Sequence, residues 1–378
     1  MRIGLMDPAI AARPAADALT RANHLAASVA GLDSFWLPDH LNSLFPRALW
    51  RAEYTAAARI VPSPDAYLEP WTLLGHIAAR NRMARLRLGV GVTDAGRRNP
   101  AVTAQAAATL HLLSRGRAIL GIGCGEREGN EPYGVDWSRP VARFEEAVAT
   151  IRALWDSNGE LVNRDSPFFP LRDAVFDLPP YKGTRPEVWI AAHGPRMLRA
   201  AGRYADGFFP AFPHTPQEYA RRLDVVRGAA SDAGRDPMSI VPAMWVMTVV
   251  GRSRADVDEA LQSETIRAEG LLSSDEYFAL HGGAHPLGAG FSGAQDLLPH
   301  AWDEKTALSY VGKVPIDVVR NSLLCGTPDE IVDQAAVWRD CGVRYLVLSD
   351  ITMLQRRLLK GFAGVPMGLK AVRGLKRL

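Results

Sequence analysis

Cysteine is scarce in this chain: Cys124, Cys325 and Cys341 are the only three in 378 residues. An odd number, far apart and without a Cys-x-x-Cys pair, supplies neither a disulfide framework nor a thiolate zinc cage. These thiols are expected to be reduced, in a cytoplasmic protein. Long apolar runs are also missing, and none approaches the ~20 residues that span a bilayer. Met1-Arg2 leads straight into Ile3-Gly4-Leu5-Met6. That start has no charged, apolar and small-residue series, so a secretory signal is not expected. Charge of one sign is lacking too. The net charge is +3, and no basic run interleaved with aromatics points to nucleic acid. No internal repeat or low-complexity linker interrupts the chain.

What is present is ordinary globular composition, 47% hydrophobic and 22% charged, in a pattern of apolar run, turn and amphipathic stretch. Strands are predicted at 3–6, 34–37, 86–92, 118–122, 188–192, 207–210, 241–250 and 345–348. Short continuous runs of Val, Ile, Leu and aromatics suit strands buried on both faces. Helices are announced by Asn99-Pro100, Gly194-Pro195 and Thr327-Pro328-Asp329-Glu330, each a cap followed by proline in the first turn. Eight alternations favour a closed (β/α)8 barrel, with an open doubly wound sheet as the alternative. Segments 41–70 and 268–326 exceed the minimal repeat and read as insertions at the catalytic face. One domain over 1–378 is expected.

Chemistry-bearing residues fall at the predicted strand ends, where a parallel α/β sheet presents its ligands. Asp39-His40 follows the second strand, an acid beside an imidazole that can exchange a proton near neutral pH. In Leu88-Gly89-Val90-Gly91-Val92-Thr93-Asp94, glycines alternate with valines. That pattern serves either close ligand approach or barrel packing. Gly121-Ile122-Gly123-Cys124-Gly125-Glu126 lacks the spacing of a dinucleotide fingerprint and reads as a glycine-lined strand end presenting Glu126. Ala191-Ala192-His193-Gly194-Pro195-Arg196 joins a strand end to a helix N-terminus, a seat for a flat ring or an anion. Arg196 and Arg199 add to that field or belong to a solvated helix face. His281 and His285 have metal-pair spacing, but the glycines between them argue for loop, and no metal is expected. The tail 360–378 mixes Lys370, Arg373, Lys376 and Arg377 with Phe362, Val365, Leu369, Val372 and Leu375. It reads as an amphipathic helix or a peripheral membrane contact.

Together, and in this order, these segments resemble the bacterial luciferase-like superfamily of flavin and deazaflavin enzymes. The resemblance is strongest to its coenzyme F420-dependent branch, over 35–40, 88–100, 119–134 and 189–208. Segments 94–103, 125–134, 191–197 and 373–378 look most like mycobacterial ketoreductases of polyketide-derived lipids. The resemblance implies a TIM barrel with F420 at the C-terminal ends of its strands. Asp39 and His40 would then lie beside the deazaflavin, and a non-prolyl cis peptide at Gly91-Val92 would back it. Cys124, Gly125, Glu126 and Asn130, with Ala192, His193, Gly194 and Pro195, would complete the cofactor site. Asn130 follows Glu126 one residue later than in the sugar-phosphate dehydrogenases of the branch, and no basic residues that would hold a sugar phosphate are found.

The expected reaction is reduction of a ketone on a long-chain lipid by reduced F420, with His40, ahead of Glu126, as proton donor. Leu44, Phe45, Trp50, Tyr54, Tyr67 and Trp71 would line an apolar approach or pack as a lid. An FMN-dependent monooxygenase and a non-catalytic F420-binding barrel are the alternatives. A homodimer is implied by the resemblance.

Overall fold

The structure is a computed structural model describing residues 1–83, 85–211 and 214–378. Its main sheet runs through β1 (Arg2–Met6), β2 (Ser34–Leu37), β3 (Arg87–Asp94), β4 (Ala118–Gly123), β5 (Glu187–Ile190), β6 (Gly207–Phe208), β7 (Val241–Val250), β8 (Leu324–Gly326) and β9 (Tyr345–Asp350). Pairing is parallel throughout, and β9 bonds both β1 and β7. The sheet therefore closes as an eight-stranded barrel, with β8 appended to the C-terminal end of β7. All eight predicted strands are present. The short β8 and an exposed antiparallel hairpin, Val162–Arg164 with Leu171–Ala174, are additions.

The outer ring comprises α1 (Ala18–Val29), α2 (Pro70–Arg80), α3 (Pro100–Leu113), α4 (Pro140–Asp156), α5 (Pro195–Tyr204), α6 (Pro216–Asp232), α7 (Pro328–Asp340) and α8 (Leu358–Leu375). The start signals act as predicted. Asn99 accepts from the Ala101 amide ahead of α3. Thr327 and Glu330 form a reciprocal capping box on α7. Segment 268–326 is not irregular: it contains the helices Asp275–Leu280, Glu304–Gly312 and Ile316–Asn321. Among the described residues no helix is long and apolar enough to cross a membrane.

The barrel interior is an aromatic plug. Trp36 stacks on Phe209 with centroids 4.9 Å apart and leans on Trp189 at 5.2 Å, while Trp189 meets Tyr345 edge-on at 5.0 Å. Ser34 accepts from both the Trp36 indole and the Tyr345 hydroxyl, at 2.6 and 2.7 Å, so neither polar atom is buried unpaired. The valine–glycine alternation of β3 is now explained in part by packing. A Cβ on Gly89 would stand 2.3 Å from the Trp36 ring. Gly89 is therefore small because Trp36 is large. The plug closes the lower barrel and leaves chemistry to the rim.

Candidate active site

At the rim, β3 and β4 fall out of register between Val90 and Thr93. The Gly91-Val92 peptide within this bulge is cis, as the resemblance implied. Val92 turns onto the interior cluster of Met6, Trp36 and Phe209, which sets a flat apolar wall beneath the strand ends. Trp245 of β7 packs on the same cluster and donates its indole N–H to Ser349 at 2.9 Å.

Asp39 and His40 do not pair with each other. Both lie in the loop just past β2, and these two find separate partners. The Asp39 carboxylate is buried and receives the Thr93 hydroxyl at 2.5 Å, Arg97 at 2.9 Å and Arg98 at 3.5 Å. Arg97 also donates to the Asp39 carbonyl at 2.5 Å and to the Gly129 carbonyl at 3.3 Å. Asp39 is thus a saturated anchor that fastens the β2, β3 and β4 loops together. The acid and imidazole that adjoin in the sequence therefore serve separate contacts.

The partners of His40 are Glu128, 3.3 Å from Nδ1, and Glu126, 3.7 Å from it. Glu128 is buried, with one carboxylate oxygen lacking any partner. Burial pushes the imidazole down, but the charges of Glu126 and Glu128 and the hydrogen bond from Glu128 outweigh it and raise His40 to about 9. Burial raises Glu126, opposed by His40 and reinforced by Glu128. The cluster therefore holds an imidazolium at neutral pH with a second proton close to hand, which is what a proton donor to a developing alkoxide needs.

Glu128 escaped the sequence reading because it lies in a 3-10 turn, Arg127–Gly129, with no strand-end signal of its own. The only available sign was the density of acids in Glu126-Arg127-Glu128-Gly129-Asn130-Glu131. The loop is held from below. Asp94 accepts from the Gly96 and Arg97 amides at 2.6 and 3.1 Å and from the Asn130 side chain, which also donates to the Glu126 carbonyl at 2.7 Å. Asn130 is wholly buried and acts here as a strut. Gly125 must be glycine: its φ is +84°, and a Cβ would lie 2.1 Å from the Asp94 carboxylate. Burial raises the neighbouring Cys124 thiol to about 12, so it is not a nucleophile.

Across the rim, Ala192 is buried while His193, Gly194 and Pro195 are exposed at the start of α5. Nothing lies within 4 Å of where a Gly194 Cβ would stand, so there is open space beside the start of that helix. Arg222 approaches His193 Nδ1 at 3.2 Å. Arg196 is occupied by Glu145, at 2.5 Å, and belongs to the solvated face. His281 and His285, which share the spacing of a metal pair in a segment expected to be loop, are separately engaged: His285 with the Leu271 carbonyl and Leu287 amide, His281 with Asn321.

The 41–70 insertion closes over His40. Tyr67 lies 5.5 Å from the imidazole, ring to ring, and Tyr133 donates to Asn42 at 3.1 Å, joining this insertion to the Glu128 loop. Phe45 and Trp71 are buried, Trp50 donates to the Val61 carbonyl, and Tyr54 donates to Glu304. Phe45, Trp50, Tyr54, Tyr67 and Trp71 pack mainly as a lid, and of them Tyr67 makes the ring contact with the imidazole. Glu269, from the other insertion, is near enough to act on the Tyr67 phenol, and burial raises its carboxyl to about 7. No motif in the sequence marked it.

Residues 4–345 match the family model described as luciferase-like monooxygenase. The chain belongs to that family. Over its whole length it is 69% identical to a phthiodiolone/phenolphthiodiolone dimycocerosates ketoreductase of Mycobacterium sp. (strain JLS), spanning 99% of that protein. It is 31% identical to an F420-dependent glucose-6-phosphate dehydrogenase of Amycolatopsis mediterranei (strain U-32), over 88% of each chain. Among solved structures, an F420-dependent secondary alcohol dehydrogenase in complex with an F420-acetone adduct superposes with a TM-score of 0.75 at 19% identity, covering 99% of this chain and 98% of that one. Family membership accounts for the closed barrel.

Proposed function

We propose that this chain is an oxidoreductase that reduces a keto group on a long-chain polyketide-derived lipid, with reduced F420 as hydride donor. The observation that carries the reading is His40, held between Glu126 and Glu128 at the open rim. The names of the 69% and 31% identical relatives support the ketone and the cofactor respectively.

The residues present fit a flat, anion-tailed redox group. Val92 and the cis Gly91-Val92 peptide offer the ring an apolar wall, and the exposed N-terminus of α5 at Gly194 suits an anionic tail. When bound there, reduced F420 supplies a hydride, and every other task belongs to the protein. His40 donates the proton to the nascent alkoxide from its imidazolium. Glu128 holds that charge and the ring's orientation, and Glu126, whose carboxyl is raised by burial, can return the proton. Tyr67 and the lid exclude water, and the burial they impose strengthens the electrostatics of the cluster.

The family description as monooxygenases supports one rival, in which FMN occupies the same rim and activates oxygen. Fluorescence titration with F420 and, separately, FMN distinguishes the two. Tight F420 binding with weak FMN binding supports the proposal, and the reverse order removes it. A non-catalytic barrel would bind F420 yet leave it reduced in the presence of a ketone.

A further inference from the structure

The last helix of the barrel ring is turned inside out relative to an ordinary surface helix. α8 presents its small residues inward, with Gly361, Gly364 and Ala371 buried, and buries one large residue, Leu375, only in its last turn. Gly364 packs so closely that a Cβ would meet Thr352 at 2.8 Å and the Val250 carbonyl at 3.0 Å. The large apolar residues face solvent: Leu359 is 85% exposed, Phe362 and Val365 each 50%, and Leu369 40%. Their spacing of three and four residues puts them on one stripe. Scattered exposed apolar residues need no explanation, but a continuous stripe of this kind marks a surface that meets something.

Charge says what that is. From residue 351 to 378 there is no acidic residue, against seven basic ones. Arg356, Arg357, Lys360 and Lys370 reach carboxylates on neighbouring elements. Arg373, Lys376 and Arg377 have none among the described residues, and they continue the same exposed face beyond Leu369. Apolar residues followed along one face by unneutralised cations is the arrangement that inserts side chains among acyl chains and sets cations on lipid phosphates. The helix begins after the C-terminal end of β9, at the rim. It ends near the barrel floor, where the Met1 amine donates to the Leu375 carbonyl at 3.3 Å. The apolar half is therefore the half nearer the active-site mouth.

We infer that α8 docks the protein onto an anionic phospholipid bilayer, through Leu359, Phe362, Val365 and Leu369 with Arg373 and Arg377. This goes beyond the proposed reaction and needs neither its cofactor nor its ketone, so the two fail independently. The test is flotation of the full chain with phosphatidylcholine vesicles, with and without phosphatidylglycerol. Binding to the anionic vesicles only, weakened by salt, is expected. Arg373→Glu with Arg377→Glu should lower partitioning about 30-fold or more. Leu359→Ser with Phe362→Ser should lower it about tenfold. All four positions are exposed, so circular dichroism should stay unchanged. Equal binding to neutral vesicles, or no binding, overturns the inference. So does a serine variant that sediments as a smaller species than the wild type, because the stripe would then be covered by a second copy.

Discussion

His40 and Glu128 are 88 residues apart in the chain and 3.3 Å apart in the fold. The imidazole comes from the loop after β2 and the carboxylate from the loop after β4, so closure of the barrel is what makes the pair. Removing the charge while keeping the shape isolates its role. Glu128→Gln should lower His40 from about 9, because burial remains while one opposing charge is lost. Ketone reduction then loses its high-pH activity first.

The sign of the pH dependence follows from the direction of that shift. His40 is raised above its ordinary 6.5, so its protonated form is favoured by the fold. Its contribution to stability is complete below pH 6.5 and lost as pH rises through about 9. As proton donor it gives the same sign for activity: kcat/KM should be flat below about 9 and fall tenfold per pH unit above it. In Glu128→Gln the break should move to lower pH, read from initial rates across a buffer series. An unmoved break would detach Glu128 from the titration.

Arg97 holds Asp39 and the Gly129 carbonyl at once. Arg97→Ala strands a buried carboxylate and unties the loop carrying Glu126 and Glu128. Losing one partner of a buried pair costs about 3–5 kcal/mol. Because Thr93 and Arg98 remain, the lower end is expected, measured by urea denaturation. Turnover should fall by more than the loss of folded protein explains.

The plug makes an independent prediction about stability. Gly89→Ala places a methyl against Trp36 and should cost about 1–3 kcal/mol. Trp36→Phe opens space, so in that background Gly89→Ala should cost clearly less. A double-mutant cycle by thermal or urea unfolding reads the coupling.

The ligand atoms of His40, Glu126 and Glu128 all lie within 4.8 Å of one another, close enough to hold a divalent cation. A cation there displaces the proton that the reaction uses. Zn2+ should therefore inhibit ketone reduction, less strongly at lower pH, and chelators should leave the untreated enzyme's rate unchanged. Glu128→Gln should weaken the inhibition.

How much of this was legible in the sequence depends on where the information sits. The barrel strands announce themselves because strands buried on both faces need continuous apolar runs, as in Ser34–Leu37, buried at all four positions. Proline after a cap announces α3, α5 and α7. The hairpin Val162–Arg164 with Leu171–Ala174 is half exposed and polar, so no hydrophobic pattern marks it. The rim motifs were found, but pairings across them were not. Adjacency in sequence suggested Asp39 with His40, whereas Asp39 is taken up by Thr93, Arg97 and Arg98 and tertiary closure delivers Glu128 to His40. Glu269 reaches the site from an insertion whose sequence carries only glycines and helix caps.

The most direct test of the central claim follows the oxidation of reduced F420 under anaerobic conditions with a long-chain ketone, in wild type and His40→Ala. The account predicts ketone-dependent oxidation by the wild type. In His40→Ala that rate should fall about 10²–10⁴-fold, with F420 affinity within several-fold of wild type. An undiminished rate in His40→Ala, or no oxidation by a wild type that binds F420, would contradict it.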